Sequence, residues 1–206
     1  MTVPSRSAAT RVLLDLRPPS WHLRHSRAVA EVAGWLALRI ARQPGGLLVD
    51  RPLVETAALL HDVDKVMPRA LRGGLPHGEA GAAWLTARGF PELGEVVALH
   101  PVTRLMDAEG AREVLGASVE ARIVSYADKR ARQRVVPMAH RFGAWARGHR
   151  ARRSDEAVDR VWRAARELED DVCRMAGCRP EDVGRLRWTG PVLRRARSVP
   201  TVPPAR

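Results

Sequence analysis

Apolar residues recur along this chain at helical spacing, in blocks separated by Pro and Gly, and no stretch alternates as a half-buried strand would. Pro18-Pro19 cannot sit inside a helix, so residues 1–19 read as a lead-in, and Ser20 is placed to cap a helix over 21–41. Val29, Val32, Ala33, Leu36 and Ile40 share one face of it, and Pro44-Gly45-Gly46 stops it. Asp50 and Pro52 open a second helix that buries Leu53, Val54, Ala57, Ala58 and Leu60 and ends near Asp64. The stretches 67–76 and 102–117 read as loops, and they flank two short helices expected over 77–87 and 91–99. Longer helices are expected over 118–134, 137–149 and 154–175, the last capped by Ser154 with Asp155 and Glu156 at its positive end. The pattern predicts an all-α bundle over 20–150, a C-terminal helix over 151–176, and an Arg/Pro-rich tail over 177–206. The last residues of that tail, from Ser198 on, are expected to be disordered.

Composition supports the class. Of 206 residues 45% are hydrophobic, enough for one substantial core, while aromatics at 4% disfavour a β-sandwich or barrel. Cys173 and Cys178 lack a second pair and a neighbouring histidine, so free thiols in a reducing compartment are expected. No apolar run approaches the ~20 residues a bilayer crossing needs, and residues 1–17 lack the apolar core of a secretory signal. A cytoplasmic protein without membrane contact is the expectation.

Net charge is +12, and it is unevenly placed. Residues 1–128 carry 15 basic and 14 acidic side chains, and residues 129–206 carry 20 and 9, so the second segment is the part that attracts anions. A phosphorylated small molecule or nucleic acid fits that bias.

The chemistry concentrates in histidines and carboxylates at the ends of apolar stretches. His61-Asp62 follows Ala57-Ala58-Leu59-Leu60, and Asp128 follows Ile123-Val124-Ser125-Tyr126-Ala127. Unpaired polar groups buried there would cost ~1–3 kcal/mol each, and a metal ion satisfies imidazole nitrogen and carboxylate oxygen together. His25 sits early on an amphipathic helix, His77 opens His77-Gly78-Glu79-Ala80-Gly81, and His100 follows Val96-Val97-Ala98-Leu99. The chain uses arginine 33 times and lysine twice, and both lysines, Lys65 and Lys129, lie beside these residues. A compact ammonium on a phosphate oxygen suits Lys65, whereas Lys129 reads as a solvent-facing ion-pair partner. Asp64 could position water or Lys65, or cap the helix end. Arg130 or Arg134 could reach a substrate phosphate, and His22, His140 and His149 read as exposed or structural.

The order and flanks of these residues resemble the HD superfamily of metal-dependent phosphohydrolases over about residues 20–150. The family pattern is a lone His, then His-Asp, then a distant Asp, matched by His25, His61-Asp62 and Asp128. Its two-metal subset adds two histidines, matched by His77 and His100, and Lys65 matches the form His-Asp-x-x-Lys. The resemblance implies that His25, His61 and Asp128 hold one metal and His77 and His100 a second, with Asp62 bridging. It further implies two divalent ions, Fe or Mn with Mg, Zn, Co or Ni also possible, and metal-activated water attacking phosphorus.

Within the superfamily the chain is similar to hydrolases that split diadenosine tetraphosphate symmetrically. It is similar also to small HD proteins carrying a Tyr-Ala-Asp-Lys-Arg segment followed by Arg-Phe, here Tyr126 to Arg130 and Arg141-Phe142. The Gly-Tyr-Pro segment of cyclic-dinucleotide phosphodiesterases is absent. The expected activity is hydrolysis of a phosphomonoester, phosphodiester or phosphoanhydride of a nucleotide-like substrate. Two other classes remain open: a nucleic-acid-binding or regulatory module using the Arg-rich C-terminal third, and an oxygenase with a di-iron centre.

Overall fold

A computed structural model of the chain describes residues 3–149 and 154–186. Among these residues there are ten α-helices, three short 3₁₀ turns and no strand, only an isolated bridge between Ala131 and Val135. The central layer is made by α2 (Ser20–Ala41), α3 (Arg51–Leu60) and α7 (Val119–Lys129), packed against one another. Helix α2 buries Val29, Val32, Ala33, Leu36 and Ile40, the face its spacing predicts. Ser20 is its first helical residue and not its cap; Pro19 takes that place and offers no side-chain hydrogen bond. Helix α3 starts as expected, with Asp50 accepting from the Leu53 amide at 2.9 Å, but it stops at Leu60 and gives way to a 3₁₀ turn, Val63–Lys65.

Helix α7 is capped by Ser118, buries eight of its eleven residues, and ends at Lys129, where 118–134 was expected to continue. The chain then doubles back through 131–135 into α8 (Met138–His149). Arg130 fixes that corner and does not reach a substrate site: its buried guanidinium donates to Tyr126 Oη, Glu169 Oε1 and the Pro180 and Val136 carbonyls at 2.8–3.1 Å. Glu169 comes from α9 (Asp155–Met175), whose Ser154 caps it by accepting from Ala157 N at 3.3 Å.

Helices α4 (Glu79–Thr86) and α5 (Pro91–Ala98) form a tight pair beside this layer. Three elements were not anticipated. Residues 1–19 contain α1 (Arg6–Asp15), which buries Ala9 and Leu13 and packs on α3; the 102–117 loop contains α6 (Ala108–Gly116), capped by Asp107; and α10 (Pro180–Gly184) follows α9. Both cysteines are free. No helix among the described residues is long and apolar enough to cross a membrane. Residues 150–153 and 187–206, the latter including the stretch from Ser198 on, lie outside the described residues.

Candidate metal centre

Every histidine and carboxylate of the proposed ligand set comes from an element end that faces the middle of the bundle. His25 is one turn into α2, His61 and Asp62 follow α3, His77 precedes α4, His100 follows α5, and Asp128 is in the last turn of α7. His61, Asp62 and His100 are about 1% exposed or less, and His25 and Asp128 are nearly as buried; His77 alone is exposed.

The imidazoles are held in one orientation by what their Nδ1 atoms touch. His25 Nδ1 lies 2.7 Å from the Arg132 carbonyl, His61 Nδ1 2.8 Å from Ala58 O, and His100 Nδ1 2.6 Å from Val97 O. His77 Nδ1 lies 2.9 Å from Asp64 Oδ2. Carbonyls and carboxylates only accept, so each Nδ1 carries a proton and each Nε2, once free of any second proton, presents a lone pair inward. Those Nε2 atoms meet in two pairs, His25 with His61 at 3.1 Å and His77 with His100 at 3.2 Å. Asp62 lies between the pairs. Its Oδ2 is 3.4 and 3.5 Å from the first pair, and its Oδ1 is 3.3 and 3.4 Å from the second. Asp128 Oδ1 joins the first pair, 3.2 Å from His25 Nε2 and 3.8 Å from His61 Nε2.

Acceptors thus face acceptors at hydrogen-bond distance, and Asp62 Oδ1 is buried without a donor in hydrogen-bonding geometry. Such a donor set fits cations: His25, His61 and Asp62 offer ligand atoms within 4.8 Å of one another, as do Asp62, His77 and His100. Asp62 is shared by both groups and can bridge. Lys65 Nζ donates to Asp62 Oδ2 at 2.9 Å and stands 2.8 Å from Oδ1, with its side chain partly in solvent.

Charge in the centre follows from burial and neighbours. Burial opposes a charge on His25, but the Asp128 and Asp62 carboxylates outweigh it and raise its pKa to about 9, so without a cation its Nε2 carries a second proton that a bound metal would displace. His61 is pushed down to about 3, chiefly by burial, and stays a neutral ligand. Burial alone would raise Asp62, Asp64 and Asp128. The surrounding imidazoles of His61, His100 and His25 and the Lys65 ammonium hold Asp62 low, His77 holds Asp64 low, and His25 and Arg141 hold Asp128 low. All three remain carboxylates.

Four further residues complete the centre. Asp64 does not cap a helix end: it is buried, accepts from His77 Nδ1–H and from the Gly78 amide at 2.7 Å, and aims His77. Gly78 permits this approach because φ is 89° and a Cβ would lie 2.5 Å from Pro101 Cγ. Lys129 is not solvent-facing but fully buried, its pKa lowered to about 8 by burial, and it donates to His100 O, Ser125 O and Ser125 Oγ, each at 3.0 Å. His22 is buried and its Nε2–H donates to the Asp62 carbonyl at 3.0 Å, a structural role of the kind expected. Arg141, on α8, brings its guanidinium to 3.7 Å from Asp128 Oδ1, with a buried Nε that has no partner. Its only signal in the sequence was the Arg141-Phe142 pair, to which no role attached.

Comparison with curated proteins and with solved structures returns no match. The family model described as HD domain matches residues 23–133, more than half of the chain and the span that carries His25, His61-Asp62, His77, His100 and Asp128. By that match the chain belongs to the HD-domain family.

Proposed function

We propose that this protein is a cytosolic phosphohydrolase of the six-ligand HD type, acting on a phosphomonoester, phosphodiester or phosphoanhydride of a nucleotide-like molecule. In this reading His25, His61, Asp62 and Asp128 hold one divalent ion and Asp62, His77 and His100 a second, iron or manganese being the preferred metals. The carrying observation is the meeting of four imidazole Nε2 atoms on the two oxygens of Asp62. Divalent ions, when bound there, supply Lewis acidity toward a phosphoryl oxygen and toward water.

The chain's own residues do the rest. Asp62, kept ionised, ties the two groups together, and Lys65 offsets its charge from the solvent side. Lys65 keeps donors free for a phosphate oxygen because only part of its ammonium faces Asp62. Arg141 approaches from the opposite element and can offer a second donor to the same phosphoryl group, in the way planar guanidinium groups bind phosphate. Deep burial of His61 and His100 keeps bulk water away from the groups behind the reacting phosphorus.

The test is elemental mass spectrometry on protein purified without added metal or chelator, followed by a phosphate-ester screen in the metal found. About two equivalents of iron or manganese with phosphatase or phosphodiesterase turnover is the expected result. A single equivalent would reduce His77 and His100 to other roles, and none after incubation with excess metal would end the reading.

A further inference from the structure

Two grooves differ in sign, one sharing His77 with the candidate centre and one beginning beside His25 along α2. The first, about 360 Å³, opens beside His77 and is lined by Glu79, Asp107, Glu109 and Glu113 against one cation, Arg104. That cation is already engaged, lying 2.9 Å from Glu79 and 3.5 Å from Glu113. The second groove, about 720 Å³, lies between α2, the 131–137 turn and the start of α8. Arg24, Arg27, Arg134 and His140 line it, against one acid, Glu31. Glu31 is taken by Arg27 at 2.9 Å. Arg24 donates only to the neutral Gln133 Oε1, at 2.7 Å, and neither Arg24 nor Arg134 has an acidic partner among the described residues.

Three residues of this second groove are, along the chain, next to a residue that forms or supports the centre. Arg24 precedes His25; Gln133 follows Arg132, whose carbonyl accepts from His25 Nδ1–H; His140 precedes Arg141, which reaches Asp128. The walls are also stiff. Arg130 ties the 131–135 corner to Val136 O and Pro180 O, and the Ala131–Val135 bridge closes it.

We infer that the groove lined by Arg24, Arg134 and His140 is a subsite for a second phosphate group of the substrate, beyond the one at the centre. The inference rests on the proposed phosphohydrolase reading and deepens it by naming a substrate class: molecules with at least two phosphate groups. The acidic groove repels such a group, whereas the basic one attracts it. Exposed guanidiniums without acidic partners hold a phosphate by charge-assisted, bidentate bonds.

The probes are methylphosphonate and a series of α,ω-alkane bisphosphonates of increasing length, which resist hydrolysis. They are titrated calorimetrically into the protein with its native metal and into the double variant Arg24→Ser/Arg134→Ser. The best bisphosphonate should bind the native chain about tenfold or more tightly than methylphosphonate. The double variant should lose that advantage while keeping its metal content and its affinity for methylphosphonate. No gain from the second phosphonate, or a gain that survives in the variant, overturns the subsite. Failure of the centre looks different: methylphosphonate would not bind and no metal would be found. A phosphorothioate-linked oligothymidylate tells the two sources of a second phosphate apart. Affinity that rises with strand length assigns it to a nucleic-acid backbone, and affinity flat beyond two phosphates assigns it to a small molecule.

Discussion

The two halves of the donor cluster are built by different means. His25, His61 and Asp128 stand on α2, α3 and α7, the three helices that form the central layer, and their rings or flanks are fixed by the main chain. His25 and His61 each donate to a carbonyl. His77 and His100 belong to the peripheral pair α4 and α5, and His77 is exposed and oriented by a side chain, Asp64, across a 13-residue separation. A group braced by the core cannot loosen without disturbing the fold, whereas one braced by a carboxylate can. His100 is held by the Val97 carbonyl as the first half is, so the second group is adjustable through His77. Breaking what the halves share should have the largest effect, and breaking what steadies only the second should have a graded one.

Asp62 is what they share. Asp62→Ala should abolish binding of both ions and turnover together, because one carboxylate oxygen serves each group. The bundle should still fold, since the substitution also relieves a buried charge. Elemental analysis and circular dichroism on the same preparation check this. An Asp62→Ala protein that keeps one full equivalent of metal would show that the halves are independent and that Asp62 does not bridge.

Asp64→Asn sharpens the contrast. The amide oxygen can take the place of Oδ2 and accept from both His77 Nδ1–H and Gly78 N–H, but the negative charge is lost and the NH₂ then faces the His77 donor 3.1 Å away. Loss of such an orienting partner costs about 10–100-fold in metal affinity. The loss should appear in one of two phases when metal is titrated against a competing chelator, with the other phase unchanged. Equal weakening of both phases would mean that Asp64 acts through Asp62 and not through His77.

The same division governs what could be read from the sequence. The core-braced half was legible because its ligands terminate apolar helices with a clean 3.6 period, as α2, α3 and the buried run before Asp128 do. The supports of the second half were not. Asp64 meets His77 only because Gly78 turns the chain with a positive φ, and nothing in the residues between them encodes that meeting. Lys129 looked like a surface lysine because charge on a helix end usually is solvated; here α5, α7 and the His100 carbonyl enclose it. Arg141 arrives from α8 through a corner set by Arg130, Glu169 and Pro180, contacts 39 and 50 residues apart in sequence for the last two. Helix α1 was missed because it buries only Ala9 and Leu13, too weak a stripe to see, and rests on α3.

Lys129→Met should have the smallest effect, and its sign is set by two opposing terms. The ammonium is fully buried with no carboxylate bonded to it, so removing its charge recovers a desolvation cost. Against that, the His100 carbonyl loses its donor, which costs about 1–3 kcal/mol when a buried acceptor is left unpaired. Methionine fills a similar volume without leaving a cavity. The terms offset to within about 1 kcal/mol, so Tm should move by no more than about 2–4 °C. What changes is local: His100 follows α5, and its main chain is tied to α7 by this ammonium. The second metal phase should weaken by less than about tenfold, below the effect at Asp64, because the Val97 carbonyl still holds the ring. A large drop in Tm with both phases intact would make Lys129 a support of the fold alone, and the second half of the centre would then rest on Asp64 and the Val97 carbonyl.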